Sequence, residues 1–258
     1  MRYAATMDGP QRQRLVLDRL RETGRVEVTD LARELGTSEV TVRRDLEQLA
    51  DVGALRRVRG GAVPSSLRGE GVPFELRTVD ESDLKLRLGE AVASLIDDGE
   101  AVSVDSGTTG AAVARSLAGR RVTAVPMSVQ SLVAVTGRAC VVVPGGEVDP
   151  EEGTFVGPLL EQTFTGLRLD TAVMSCCGVD PTAGVMAYSL RDAAAKRAAH
   201  RAAARTILVA EADKFGRSAM ALVCPLTEVS VLVTDDSVTD TVRDFCAGQG
   251  IELVLVRS

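Results

Sequence analysis

Four stretches of this 258-residue chain hold residue types whose spacing can do chemistry. The first runs Ser38-Glu39-Val40-Thr41-Val42-Arg43-Arg44-Asp45-Leu46-Glu47-Gln48-Leu49. Paired arginines can grip guanine or phosphate, and Val or Thr methyls can touch thymine, so this run suits double-stranded DNA. The second is Val104-Asp105-Ser106-Gly107-Thr108-Thr109, where a strand-like run meets small residues and then a helical pattern. Amides and hydroxyls at such a helix start make an anion site. The run lacks the Gly-Lys-Ser/Thr ending of a nucleotide P-loop, so a phosphate ester fits it better than ATP. The third is Pro144-Gly145-Gly146-Glu147, a glycine pair after a strand-like run, which is either a plain turn or a place where a ligand nears the backbone. The fourth is scattered: of 30 basic residues only Lys85, Lys196 and Lys214 are lysines. A lysine is a compact point charge for a phosphate or carboxylate, and Lys214 falls just past a strand-like run, where ligands gather in parallel sheets.

The first stretch is positioned by what precedes it. Ser38 is an N-cap type, and Val42, Leu46 and Leu49 share one helical face. Val40, Arg44 and Gln48 project from the opposite face, with Thr41 and Arg43 at its edges. Taken alone, that pattern also describes a solvated helix. Before it, Val16, Leu17 and Leu20 line a helix ended by Gly24, Val26-Glu27-Val28 reads as a short strand, and Thr29 is the expected cap of a helix from Asp30 to Leu35. Gly36-Thr37 turns into the Ser38 helix. After it, residues 54–63 form two β-prone runs around Gly60-Gly61, with Arg56, Arg57 and Arg59 along them. This order predicts a winged helix-turn-helix over residues 10–63.

The run from Leu31-Ala32 through Thr41-Val42-Arg43-Arg44-Asp45-Leu46 to Arg59-Gly60-Gly61-Ala62-Val63 resembles the DeoR family of bacterial transcriptional regulators. Arg59 departs from the His common before the glycines and keeps the positive charge. The resemblance implies DNA binding by Ser38, Val40, Thr41, Arg43, Arg44, Gln48, Arg56, Arg57 and Arg59.

Charge distribution agrees with that reading. The chain carries a net −6, yet residues 1–63 hold 12 Arg against 10 Asp or Glu, a net +2 that leaves −8 for the remainder. A basic tip on an acidic body steers DNA to one end. There is no long apolar run and no signal-peptide pattern at the start, so a cytoplasmic protein with no membrane partner is expected. The five cysteines have no metal-type spacing and His200 has no ligand partner in spacing, so they are expected to be reduced and mostly buried, Cys140 included, with no metal and no cofactor.

Residues 64–75 are rich in Pro, Gly and Ser and are expected to link the tip to a domain over residues 76–258. There Leu84, Leu88, Ala91, Val92, Leu95 and Ile96 keep helical spacing up to Gly99. Strand-like runs follow at 101–104, 122–125, 140–143, 172–175, 206–210, 229–234 and 253–256, with helical runs between most of them. That alternation predicts an α/β domain on a largely parallel sheet. Asp105-Ser106-Gly107-Thr108-Thr109, Gly145-Gly146, Gly178-Val179-Asp180 and Lys214-Phe215-Gly216 resemble the family's C-terminal effector domain, which is similar to ribose-5-phosphate isomerase. The resemblance implies that Ser106, Gly107, Thr108 and Thr109 hold the phosphate of a sugar or related metabolite. It puts Lys85, Asp105 and Lys214 along the pocket, with Gly145 and Gly146 as its floor. Met127 and Glu211 depart from the usual Asn and Asp, which would alter the ligand or weaken it. The expected protein is a repressor controlled by a phosphorylated sugar, a homodimer or homotetramer without catalytic activity. The alternative is an isomerase-like enzyme with a DNA-binding appendage, using carboxylates such as Asp105, Glu147 and Asp180.

Overall fold

The computed structural model describes residues 8–51, 54–64, 83–137 and 139–258, in two compact units, Met1–Asp80 and Glu81–Ser258. Most of the linker stretch, residues 65–75, lies outside the described residues.

In the first unit, helix α1 (Gly9–Thr23) is capped by Asp8, which accepts from the Gln11 amide at 2.9 Å, and ends at Gly24 with φ 69°. Strand β1 (Val26–Glu27) leads directly into α2 (Val28–Glu34), so the helix begins before the expected Thr29 cap. The cause is the third strand. β1 pairs with β3 (Gly61–Pro64), and the Val28 amide donates to the Gly60 carbonyl at 2.8 Å, which satisfies the first turn from outside the helix. Gly36, at φ 61°, turns the chain into α3 (Glu39–Asp51), where the Ser38 hydroxyl accepts from the Thr41 amide at 3.1 Å. β2 (Leu55–Val58) and β3 form the antiparallel wing around Gly60, at φ 84°. A side chain on Gly61 would stand 1.8 Å from the Val26 carbonyl oxygen, so only glycine lets β1 close on the wing. Val16, Leu17, Leu20, Leu31, Val42, Leu46, Leu49 and Leu55 fill the core beneath.

The second unit opens with α4 (Asp83–Ser94), which stops short of Gly99. Carbonyls at and just past its end are taken by arginines from elsewhere: Arg120 donates to Ala93 and Ile96, and Arg205 to Leu95. All seven strand-like runs join one parallel sheet: β4 (Ala101–Val104), β5 (Thr123–Pro126), β6 (Cys140–Val141), β9 (Leu169–Ser175), β12 (Ala203–Val209), β14 (Val231–Asp235) and β15 (Glu252–Val256). Their spatial order is β15-β14-β12-β9-β4-β5-β6. Alternate residues serve opposite faces, as the two-residue strand period requires. Val102, Val104, Val173, Ile207 and Val233 pack under α4 and α5 (Gly107–Leu117), joined by Val135 of α6 (Val129–Val135). Met174, Leu208 and Leu232 pack on the other face with α8 (Leu190–Ala202) and α9 (Asp240–Gln249).

Two additions were not legible in the sequence. β7 (Glu147–Val148) and β8 (Phe155–Val156) form a hairpin followed by α7 (Pro158–Gly166), while β10 (Gly178–Asp180), β11 (Gly184–Ala187) and β13 (Ala221–Cys224) make a small antiparallel sheet. Cys140 corrects its expected burial: β6 is the sheet edge, and the residue is exposed. His200 is held between Thr206 and Glu228, at 2.8 and 3.0 Å.

Candidate DNA interface and effector site

Helix α3 presents its predicted outer face. Val40 is 76% exposed and Arg44 is exposed, with no ion pair among the described residues. Thr41 sits beside the cap, its hydroxyl 2.9 Å from that of Ser38. Arg43 is paired with Glu39 at 2.9 Å and Arg57 with Glu47 at 3.3 Å, both in solvent. Exposed pairs of this kind contribute little and exchange readily for phosphate. Arg56 and Arg59 stand on the wing, both exposed. We expect Arg57→Ala to weaken binding to all duplexes alike and to reduce the salt slope of log Kd by about one. Titrations at several salt concentrations measure this, and an unchanged slope would remove Arg57 from the interface.

Gln48 is exposed, as expected, and is also bonded across to α1. Its side-chain oxygen accepts from Gln13 Nε2 at 2.7 Å, which ties it to α1 rather than leaving it wholly to the outer face. Asp45, inside the Arg-Arg-Asp-Leu motif, is buried at 3% exposure and paired with Arg12. Its partner lies 33 residues earlier, so no local spacing in the sequence pointed to the pair.

In the larger unit the expected phosphate loop lies at the carboxyl end of β4, the ligand end of a parallel sheet. Gly107 takes φ 78°, and a side chain on Gly110 would stand 2.1 Å from the Asp105 carbonyl oxygen. These glycines let α5 start directly over the strand end. Ser106 is the N-cap residue of α5 and is buried, with its hydroxyl making no cap bond, while Thr108 and Thr109 are half-buried in the first turn.

Asp105 is 1% exposed, and its carboxylate is fully occupied. Oδ1 accepts from the Ser106 amide at 2.7 Å, and Oδ2 from the Ser175 amide and hydroxyl at 2.7 and 2.9 Å and from Lys196. Asp105 therefore orients the loop and Lys196. Lys196, of α8, was not among the residues expected at the pocket, and it is 3% exposed. Burial lowers its pKa, but Asp105 and Asp192 outweigh that and hold it above the ordinary value. Asp192, one turn earlier on α8, lies 3.6 Å from Lys196 and is 20% exposed.

Burial raises the Asp192 carboxyl to about 6; Lys196 pulls it down, while Asp105 and Glu152 push it up. A carboxyl raised in the folded state contributes stability below its unfolded pKa of about 4, and this is lost as pH rises through about 6. We expect wild type to lose stability relative to Asp192→Asn between about pH 4 and about pH 6.5. Denaturation midpoints of both chains across that range test this, and a constant difference would contradict it.

Lys214 follows β12 in a short 3-10 turn with Glu211 at its start; it is half-buried, and burial lowers its pKa. Among the described residues its ammonium has no ion pair. Cys176 lies in the field of Lys214 and Lys196, yet burial pushes its thiol up to about 12. Lys85 is 6% exposed in the first turn of α4. Arg87, two residues on, donates to the Arg257 carbonyl just past β15, so α4 also starts at the carboxyl end of the sheet. Gly145 and Gly146 follow β6, both with positive φ and both exposed, not buried as a pocket floor would be. Glu147, the next residue, pairs with Arg191 of α8. Met127 is buried among Phe155, Val156 and Leu160, so its side chain serves packing.

A family model described as the DeoR-like helix-turn-helix domain matches residues 12–66, and that of the DeoR C terminal sensor domain matches residues 80–236. The chain belongs to the DeoR family. Within it, the transcriptional repressor AccR of Agrobacterium fabrum is 31% identical over 240 residues, 91% of this chain and 92% of its own. The glycerol-3-phosphate regulon repressor of Escherichia coli is 27% identical, over 96% of this chain and all of its own. The L-fucose operon activator of Haemophilus influenzae is 26% identical, over 95% and 99%. Ribose 5-phosphate isomerase A of Methanocaldococcus jannaschii aligns with a TM-score of 0.38 at 15% identity, over 52% of this chain and 54% of its own. This DeoR-family chain is a DNA-binding transcriptional regulator whose larger domain senses an effector.

Proposed function

We propose that the chain is a cytoplasmic homo-oligomeric repressor whose hold on operator DNA is relieved by a phosphorylated sugar bound at the start of α5. One observation carries the reading: the loop from Ser106 to Thr109 opens a helix at the carboxyl end of a parallel sheet, with half-buried Lys214 carrying no ion pair among the described residues. A helix start and an ammonium without an ion pair favour a dianion over a neutral sugar. Relatives named for glycerol-3-phosphate regulon repression support the same class. Paired half-sites, as helix-turn-helix proteins read them, call for at least a dimer.

No turnover is expected. An aldose–ketose isomerase needs a base able to take a proton, and every oxygen of Asp105 already accepts from Ser106, Ser175 or Lys196. Isomerisation of a pentose phosphate that vanishes on Asp105→Ala would reverse this. The direct test is fluorescence anisotropy on duplex DNA from just upstream of the protein's own coding region, with and without a sugar-phosphate panel. Salt-sensitive binding relieved by one phosphate ester is the expected result. Binding indifferent to every ester would reject the effector class, and enhancement by an ester would mean that the effector promotes DNA binding instead of relieving it.

A further inference from the structure

The contact between α1 and α3 is mixed in kind. Val16, Leu17 and Leu20 meet Val42, Leu46 and Leu49 in an apolar core. Beside it, Arg12 clasps Asp45 with both arms of its fork: Nε donates to Oδ2 at 2.5 Å and Nη2 to Oδ1 at 2.9 Å. The two side chains are 14% and 4% exposed. One residue along α1, and three along α3, Gln13 Nε2 donates to Gln48 Oε1 at 2.7 Å.

Apolar contact is non-directional and tolerates small rotations of one helix against another. A bidentate fork is directional and does not. At the ~5–6 Å radius of helical side chains, a 20° roll of α3 would move its outer face by about 2 Å. That exceeds what a hydrogen bond to a base edge allows. Arg44 adjoins Asp45 in sequence, so the roll at which Arg12 holds Asp45 is also the roll at which Arg44 is presented.

We infer that Asp45 is a positioning residue for base recognition: through Arg12, and with the Gln13–Gln48 bond alongside, it sets the rotation of α3. It touches no DNA in this role, and the effect falls on selectivity. A buried ion pair is also replaceable by apolar residues without loss of stability, which separates positioning from folding.

The test uses the full chain and a duplex enriched from a randomised pool by the wild type, against a scrambled duplex of equal composition. Arg12→Met with Asp45→Leu is expected to keep or raise the thermal midpoint, because both charges of the buried pair are replaced together. Its preference for the enriched duplex is expected to fall by about tenfold or more, the loss of roughly one base contact. The salt slope on scrambled DNA should not change, since no phosphate contact is removed. A folded double variant with wild-type preference overturns the inference. Arg12→Lys provides a second test if that variant fails to fold: it keeps the charge and loses the fork. A preference reduced about threefold or more supports positioning, and an undiminished preference overturns it.

Discussion

Lys196→Met is expected to destabilise the larger domain by about 3–5 kcal/mol, the usual loss when one partner of a buried ion pair is removed. Methionine keeps the length and the apolar stem, so packing against α8's neighbours survives and the change is mainly in charge. Asp105 would keep its hydrogen bonds from Ser106 and Ser175 but remain 1% exposed without its counter-ion. Adding Asp105→Asn should recover part of the loss, because an amide carries no charge to compensate. Urea unfolding of the full chain at neutral pH, with the larger domain followed by amide exchange, measures both. A loss below about 1 kcal/mol would mean that the two serines support Asp105 unaided. The consequence reaches function, since Asp105 begins the loop that opens α5, and a loosened Asp105 misplaces Ser106, Thr108 and Thr109 together.

Arg44→Ala should cost operator binding about 1–3 kcal/mol and relax preference at one base position. Arg44 has no ion pair among the described residues, so its removal orphans no carboxylate and folding stability should move by no more than about 0.5 kcal/mol. Affinities on the enriched duplex and on single-base variants of it measure the effect. An equal loss on every duplex would reassign Arg44 to phosphate contact, and no loss would put the outer face of α3 away from DNA. Arg57 makes the contrast, because it stands on the wing and its expected signature is the salt slope.

Much of this was legible because it depends on local pattern. The face of Val42, Leu46 and Leu49, the Ser38 cap and the Gly60 turn follow from helical period and backbone sterics alone, and each recurs in the structure. The seven runs of the parallel sheet were readable for a related reason: strands in a sheet covered by helices are mostly apolar, and the inner ones here are largely buried. The hairpin of β7 and β8 and the sheet of β10, β11 and β13 were hidden, because short strands of two to four residues have too little length to show a period.

By itself, then, the sequence determined the winged tip with its basic outer face, the α/β class and the small-residue loop after β4. Tertiary structure alone decided which charges are spent internally. Asp45 reads as a surface acid until Arg12, 33 residues earlier, meets it; Asp105 reads as a ligand or base until Lys196, 91 residues later, occupies it. Gln48, uncharged and still exposed, shows the same for a hydrogen bond, its carbonyl taken by Gln13 from 35 residues earlier. The physical reason is common to all three. A polar side chain's role is set by whichever donor or acceptor lies within about 3 Å of it. In a folded chain, that neighbour comes from far along the sequence, where no local period records it.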